Sequence, residues 1–283
     1  MRINTNIEAI NAHRNLTLTG SSLTRSMEKL SSGLRINRAA DDAAGLAISE
    51  QMRGQVRGTN QAIRNAQDGV SLLKTAEGAL NETHAILQRM RELSLQAANG
   101  TLSTGDRQAI QGELIHLRDE ITRIATSTEF NTRRVLDGTF TATFQIGPNS
   151  GQTLAVTLAN SQATAIGALT GMGAPASLDA AVTAFLPADP ATASTLVRSI
   201  DQAMIDVSTN RSAAGALQNR LDHTIANLSV GAENLSAAES RIRDVDMAME
   251  MVNFTRLQIL QQAGTAVLAQ ANMAPQAVLR LLG

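Results

Sequence analysis

The sequence predicts a mainly α protein: an elongated antiparallel helical bundle with terminal coiled-coil helices and a small β-hairpin region. Three observations carry this reading. Apolar residues recur at three-four spacing along most of the chain, and that spacing turns one helix face toward a partner. Aromatic residues are 2% of the 283 residues, with no Trp and no Tyr, while hydrophobic residues reach 43%. Large rings supply much of the buried area of a compact core, so this mixture suits long helices packed along thin seams. The period changes only near the middle, where two β-like runs flank a Gly-rich turn.

Ile3, Ile7 and Ile10 start the first stripe, which continues through Leu16, Gly20, Leu23, Met27, Leu30 and Leu34. Gly33 fits the left-handed position that ends a helix, having no side chain to clash there. Asp41 or Asp42 can cap the next helix, because a carboxylate accepts the free amide hydrogens of a first turn. With no His or Cys nearby, the acidic pair reads as a cap rather than as a metal or catalytic pair.

The second helix runs from about Asp42 to Ala98. Ile63, Ala66, Val70 and Leu73 form one face, which then slips to Ala76, Ala79, Thr83, Ile86, Met90, Leu93 and Ala97. Asn99-Gly100 closes it. Ser103 to Asp106 form a turn and cap for a third helix, striped by Ile110, Leu114, Leu117, Ile121 and Ile124. The short gap makes it an antiparallel neighbour of the second.

Phe144 to Leu158 reads as a hairpin around Gly147–Gly151. Asn160 to Pro190 is rich in Ala, Thr, Gly and Pro and reads as irregular surface, with room for a short helix over Leu178–Phe185. From Leu196 the stripe returns and barely stops before Val252; patterns this long indicate a coiled coil or bundle arm. A second register follows at Leu257, Leu260, Gly264, Val267 and Ala271, where Gly264 and Ala271 let another helix backbone come close. Pro275 marks a kink or fresh start before Val278, Leu279, Leu281 and Leu282.

Both ends carry stripes with no partner in their own segment, so the economical solution pairs the N-terminal helix with the C-terminal one. Residues 1–41 and 243–283 then form one discontinuous terminal helical domain. Residues 42–242 form a helical-bundle domain, with the hairpin and irregular region at about 130–195.

The charge balance is even, with 24 basic and 25 acidic residues and a net charge of -1. Nothing in it pulls the chain toward nucleic acid or an anionic membrane. Arg133-Arg134 and the set Arg35, Arg38, Arg53, Arg57 and Arg64 lack the interleaved rings of a base-stacking platform. No apolar run approaches the ~20 residues needed to span a bilayer. The N-terminus lacks the order of a cleavable secretory signal, so composition alone reads as cytoplasmic. There is no Cys, and His13, His84, His116 and His223 are not spaced as zinc ligands. No HExxH, phosphate loop or dinucleotide fingerprint is present, so no metal, cofactor or catalytic site is expected.

The stretch Leu30–Ile48, LSSGLRINRAADDAAGLAI, resembles the N-terminal signature of bacterial flagellins. Ala237–Met247 (AAESRIRDVDM) and Ile259–Pro275 (ILQQAGTAVLAQANMAP) resemble the family's C-terminal signature, and Gln67–Ala98 and Ala213–Leu228 also match. The resemblance covers roughly residues 1–160 and 195–283, which makes it far more specific than a short motif. It implies a filament subunit for swimming motility, not an enzyme. Such a subunit leaves the cell unfolded through the flagellum's own channel and becomes extracellular, overriding the compositional reading.

The implied partners are further copies in a helical homopolymer, the flagellar export chaperone, the filament cap and the hook–filament junction proteins, with no nucleic acid and no membrane insertion. Filament-core packing falls on Leu23, Met27, Leu30 and Leu34 at one end and on Leu257, Leu260, Gly264, Val267 and Ala271 at the other. Some relatives carry a peptidase in the centre; this short centre cannot hold one.

Gln88, Arg89, Met90, Arg91, Glu92, Leu93, Ser94 and Leu95 resemble the flagellin segment recognised by the Toll-like flagellin receptor of vertebrates, with Glu113 on the adjoining helix. Arg89 offers a planar set of donors, Leu93 an apolar knob and Glu113 an acceptor. The same stretch also reads as a subunit-packing face, and both readings hold if the epitope is buried in filaments and exposed in monomers. The rival readings are a hook–filament junction protein, a secreted effector or adhesin, and an enzyme.

Overall fold

The computed structural model describes residues 5–169 and 177–282, with the backbone alone from 274 onward. The expected stripe start at Ile3 and the side chains of the apolar tail, Val278 to Leu282, lie outside what is described. The elements in chain order are α1 (Ile7–Ser32), α2 (Ala43–Ala97), α3 (Thr104–Ser127), β1 (Glu129–Phe130), β2 (Arg133–Arg134), β3 (Thr141–Gln145), β4 (Thr153–Thr157), α4 (Leu178–Ala184), α5 (Pro190–Arg243) and α6 (Met247–Leu282). The protein is mainly α, with two small antiparallel hairpins.

Local chemistry sets the boundaries. Asn6 opens α1 by accepting the Ala9 amide, and Gly33 closes it in the left-handed region at φ 71°, donating to the Lys29 carbonyl. Both aspartates of the following turn act on backbone. Asp42 accepts the Gly45 amide at 2.8 Å, and Asp41 accepts those of Asn37 and Arg38. The Arg38 amide, then that of Asn37, hold the Asp41 carboxyl below the usual carboxylate range. Ser103 and Asp106 form a reciprocal capping box at the start of α3. α6 runs through Pro275 without a fresh start.

Two features depart from the sequence reading. The apolar stripe from Leu196 to Val252 is interrupted, because α5 ends at Arg243 and α6 begins at Met247. The turn between β1 and β2 was not anticipated. It holds Asn131 and Thr132 at φ 51° and 64°, the double left-handed geometry that matches the twist of a two-residue hairpin. The β3–β4 hairpin follows the expected pattern, pairing Thr141 with Thr157 through Gln145 with Thr153. Leu154 and Val156 of β4 point inward while Thr153, Ala155 and Thr157 face out, the period of two that buries one sheet face.

The chain divides into two compact units. One is Arg57–Ala232; the other joins Met1–Val56 to Glu233–Gly283. Within Arg57–Ala232, α2 is the spine. Its Arg89 meets Glu113 of α3 and its Ala97 carbonyl meets Arg107, so α3 runs antiparallel to it. As α2 advances from Glu77 to Arg91, its α5 partners recede from Gln218 to Asp201, so α5 is antiparallel too. Leu73, Leu80, Leu87 and Met90 of α2 fill the space between, with Leu114 and Ile121 of α3 and Leu196, Ile200 and Val207 of α5. Phe140, Phe185 and Ile166 from the middle of the chain complete that core.

Candidate functional site

The unit that joins the two ends of the chain is built on α1 and α6. Asn6 donates to the Ala271 carbonyl at 2.7 Å, Leu16 lies against Gly264, and the Ser26 hydroxyl donates to the Glu250 carboxylate. Rising numbers on one helix meet falling numbers on the other, so the pair is antiparallel. A Cβ at Gly264 would come within 3.2 Å of Leu16 Cδ1, which is why the smallest residue sits at this crossing.

At the far end of the pair, the links on either side of the helices meet. Leu34 bridges Asp244, the Arg35 amide donates to the Arg243 carbonyl at 2.6 Å, and the Val245 amide donates to Gly33 at 3.0 Å. The Arg35 guanidinium donates to the Ile242 carbonyl, satisfying an end group that α5 cannot satisfy itself. Ile36 is buried beneath, and Gly45 passes so close that a Cβ there would clash with Asp42 and Ile36. Glu50 accepts from Arg243 and Arg53, and Arg243 foremost holds its carboxyl below the usual range.

The predicted packing residues divide between two faces. Leu23, Leu30, Leu34, Leu257 and Gly264 are half-buried, and Ala271 is buried. Met27, Leu260 and Val267 are 55%, 50% and 58% exposed. The expected α6 register is therefore corrected: the inward positions are Leu257, Gln261, Gly264, Leu268 and Ala271. Half-buried Gln261 is invisible to a count of apolar residues, and Leu260 and Val267 sit one step away on a second apolar face. Met247, Met249, Met251, Val252 and Ile259 are also exposed on α6, with Ile7, Ile10 and Leu18 on α1. The sequence signal for this second face was the run Met247–Val252, MAMEMV, which is too apolar for a solvated helix surface.

The stretch Gln88–Leu95 lies on α2, and its residues alternate between surface and core. Gln88, Arg89, Arg91, Glu92 and Leu95 are exposed, whereas Met90, Leu93 and Ser94 are buried. Leu93 is thereby corrected as an apolar knob: at 2% exposed it packs in the core, and Leu95 is the exposed leucine. Arg89 and Glu113 do come together, with Nε and Nη2 donating to one Glu113 oxygen at 3.1 and 3.0 Å. Glu92 lies 3.4 Å from the same guanidinium, and Glu113 foremost raises the Arg89 pKa further. Arg91 reaches across to Asp201 at 2.7 Å.

Sequence reasoning passed over Arg107. It is 6% exposed and donates to the carbonyls of Ala97, Asn99 and Pro187, so it caps the end of α2 and ties down a distant loop. No group of His, Asp or Glu among the described residues is arranged to hold a metal ion, and no helix there is long and apolar enough to cross a membrane.

Two ends of a chain coiled together, with a second apolar face left open on the coil, define a structural protein that packs its helices against further copies. Comparison with known proteins gives the family. Residues 3–141 match the bacterial flagellin N-terminal helical region and residues 197–282 the C-terminal helical region. The chain is 52% identical over 283 residues to a flagellin of Halalkalibacterium halodurans and 53% identical over 303 residues to one of Bacillus subtilis, covering 100% of all three proteins. A crystal structure of Bacillus cereus flagellin is similar at 34% identity and a TM-score of 0.48, over 62% of this chain and 94% of that one. This chain belongs to the bacterial flagellin family. It is a structural subunit of the flagellar filament, an extracellular assembly, and not an enzyme.

Proposed function

We propose that copies of this chain build the filament with which a bacterium swims, and that the free subunit is recognised by the Toll-like flagellin receptor of vertebrate hosts. The observation that supports the first reading is the apolar surface left open on α1 and α6. Soluble monomers rarely expose a contiguous surface of this kind without a partner for it. The export chaperone, the filament cap and the hook–filament junction proteins are the other partners this role requires. The test is seeded growth: purified chain added to short filaments extends them under the electron microscope, whereas persistent monomers overturn the reading. Expression in a flagellin-null bacterium restores swimming; filaments without swimming would separate assembly from motility.

The receptor reading is supported by Arg89 and Glu113, which stand together on the surface of adjoining helices at 52% and 46% side-chain exposure. An ion pair this exposed contributes little to the fold. Arg89→Ala and Glu113→Ala therefore melt like the parent and signal less through the receptor; equal signalling overturns this part.

A further inference from the structure

The α1–α6 pair carries a cleft lined by Arg25, Lys29 and Arg256, with Ser26 and Glu250 beside them. Its charges do not cancel. Among the described residues none of the three cations forms a close ion pair, and Lys29 feels the Asp41 carboxylate only at longer range, while Arg35, Arg38, Arg53 and Arg243 of the same unit each bond a carbonyl or a carboxylate. Glu250, the acid of the cleft, accepts from the buried Ser26 hydroxyl instead. Arg25 and Lys29 are four residues apart on one helix, where like charges repel. Next to this cleft and sharing Arg256 lies a second hollow, lined by Met251, Val252, Thr255, Ile259 and Leu260. A cationic cleft beside an apolar hollow calls for an occupant with an acid next to exposed aliphatic side chains.

The first turn of α1 carries that combination. Glu8 is exposed and has no partner among the described residues, and Ile7, about 100° from it around the helix, is 56% exposed. We infer that the cleft and hollow receive the first turn of α1 from a second copy, Glu8 entering among Arg25, Lys29 and Arg256 while Ile7 covers the apolar hollow. This deepens the filament reading and rests on it. The two surfaces are different parts of the molecule, so the contact is heterologous and extends into an open array rather than closing as a dimer. Seventeen residues of helix separate Glu8 from Arg25, so parallel copies joined this way are offset by about 25 Å along α1.

Charge exchange in seeded growth tests it. Glu8→Lys alone, or Arg25→Glu with Arg256→Glu, places like charges together and slows elongation by at least about tenfold. The combined triple variant restores opposite charges at positions 25 and 256, two of the three cleft cations, and recovers growth. Glu8→Gln and Arg256→Gln, which remove charge without reversing it, give intermediate rates that depend less on salt than the parent's. Circular dichroism of each monomer shows that helicity is kept. Parental growth by the single-sided variants overturns the inference and leaves the filament reading standing, as does failure of the triple variant to recover. Failure of the parent itself to elongate sinks both.

Discussion

The two compact units use the same kind of helix to opposite ends. Arg57–Ala232 hides its apolar residues: Leu80, Leu87, Met90, Leu114 and Ile121 are fully buried, and among the described residues Leu95, Leu186, Ile205 and Val230 are the large apolar ones left exposed. In the unit made from both ends of the chain the balance reverses. Among its described residues Ile36 and Ala271 are the buried apolar ones, while α1 and α6 expose a long series of Ile, Leu, Met and Val. Burial in three or more layers makes the first unit self-sufficient. A two-helix seam has nowhere to put a second apolar face, so the other unit is completed only by neighbours.

The largest expected effect comes from truncating one leucine in each unit. Leu87→Ala empties a fully buried site and should cost about 2–5 kcal/mol in thermal or denaturant unfolding. Leu260→Ala removes a half-exposed side chain and should leave monomer stability within about 0.5 kcal/mol while slowing seeded filament growth. Equal losses in the unfolding experiment would erase the distinction between the units.

Next is Arg107, a buried cation that locks Arg57–Ala232 through backbone carbonyls, where the α1–α6 seam uses the neutral donors Asn6 and Ser26. Arg107→Met keeps much of the apolar stem but leaves the Ala97 and Asn99 carbonyls without their donor, for about 1–3 kcal/mol of lost stability. Hydrogen exchange should rise first at the α2–α3 turn; unchanged protection there would mean that the lock is dispensable.

Gly264→Leu sharpens the other side of the comparison. The added bulk meets Leu16 and overpacks the α1–α6 crossing by about 1–3 kcal/mol. Helicity of Arg57–Ala232 should survive while filaments shorten or fail. Normal growth would show that the crossing tolerates separation.

The smallest effect is acid-dependent. The Ser103 hydroxyl foremost, then its amide, hold the Asp106 carboxyl below the usual range. A carboxyl with a lowered folded-state pKa stabilises the fold above its unfolded pKa, and that contribution fades as pH falls through the lowered folded value. Asp106→Ala should therefore melt slightly below the parent at neutral pH, with the gap closing on acidification below the ordinary aspartate range. A constant gap would assign the effect to something other than the carboxylate.

Where local chemistry decides, the fold was legible in the residues. Gly33 has the left-handed φ its position required, Asp42 and Ser103 cap as their places before apolar stripes indicated, and Ser177 opens the short helix read over Leu178–Phe185. Legibility failed where two apolar sets share one helix. A three-four count could not choose between Leu260 and Gln261, since positions one residue apart differ by about 100° around the axis. It also ran through the break at 244–246, because so short a link need not disturb the spacing of the stripes on either side. At Leu93 the count was right: it lies on the buried α2 stripe, and the exposed knob rested on the family resemblance, while its neighbours Arg89 and Glu92 face solvent. The left-handed pair Asn131-Thr132 carried little signal, because a β-branched residue is uncommon in that region.

The antiparallel coil also has a consequence in time. Asn6 bonds Ala271, 265 positions away, and Ser26 bonds Glu250, 224 positions away. α1 thus finds its mate more than two hundred positions further along the chain, whereas α2 finds α3 across a short turn. On folding, Arg57–Ala232 can condense before α1 and α6 meet. A chain cut short soon after residue 232 therefore folds its core yet never forms the coil, and α1 stays unmated. The coil acts as a check that both helices are present: only a chain carrying α1 and α6 together presents the paired surface that another copy can accept.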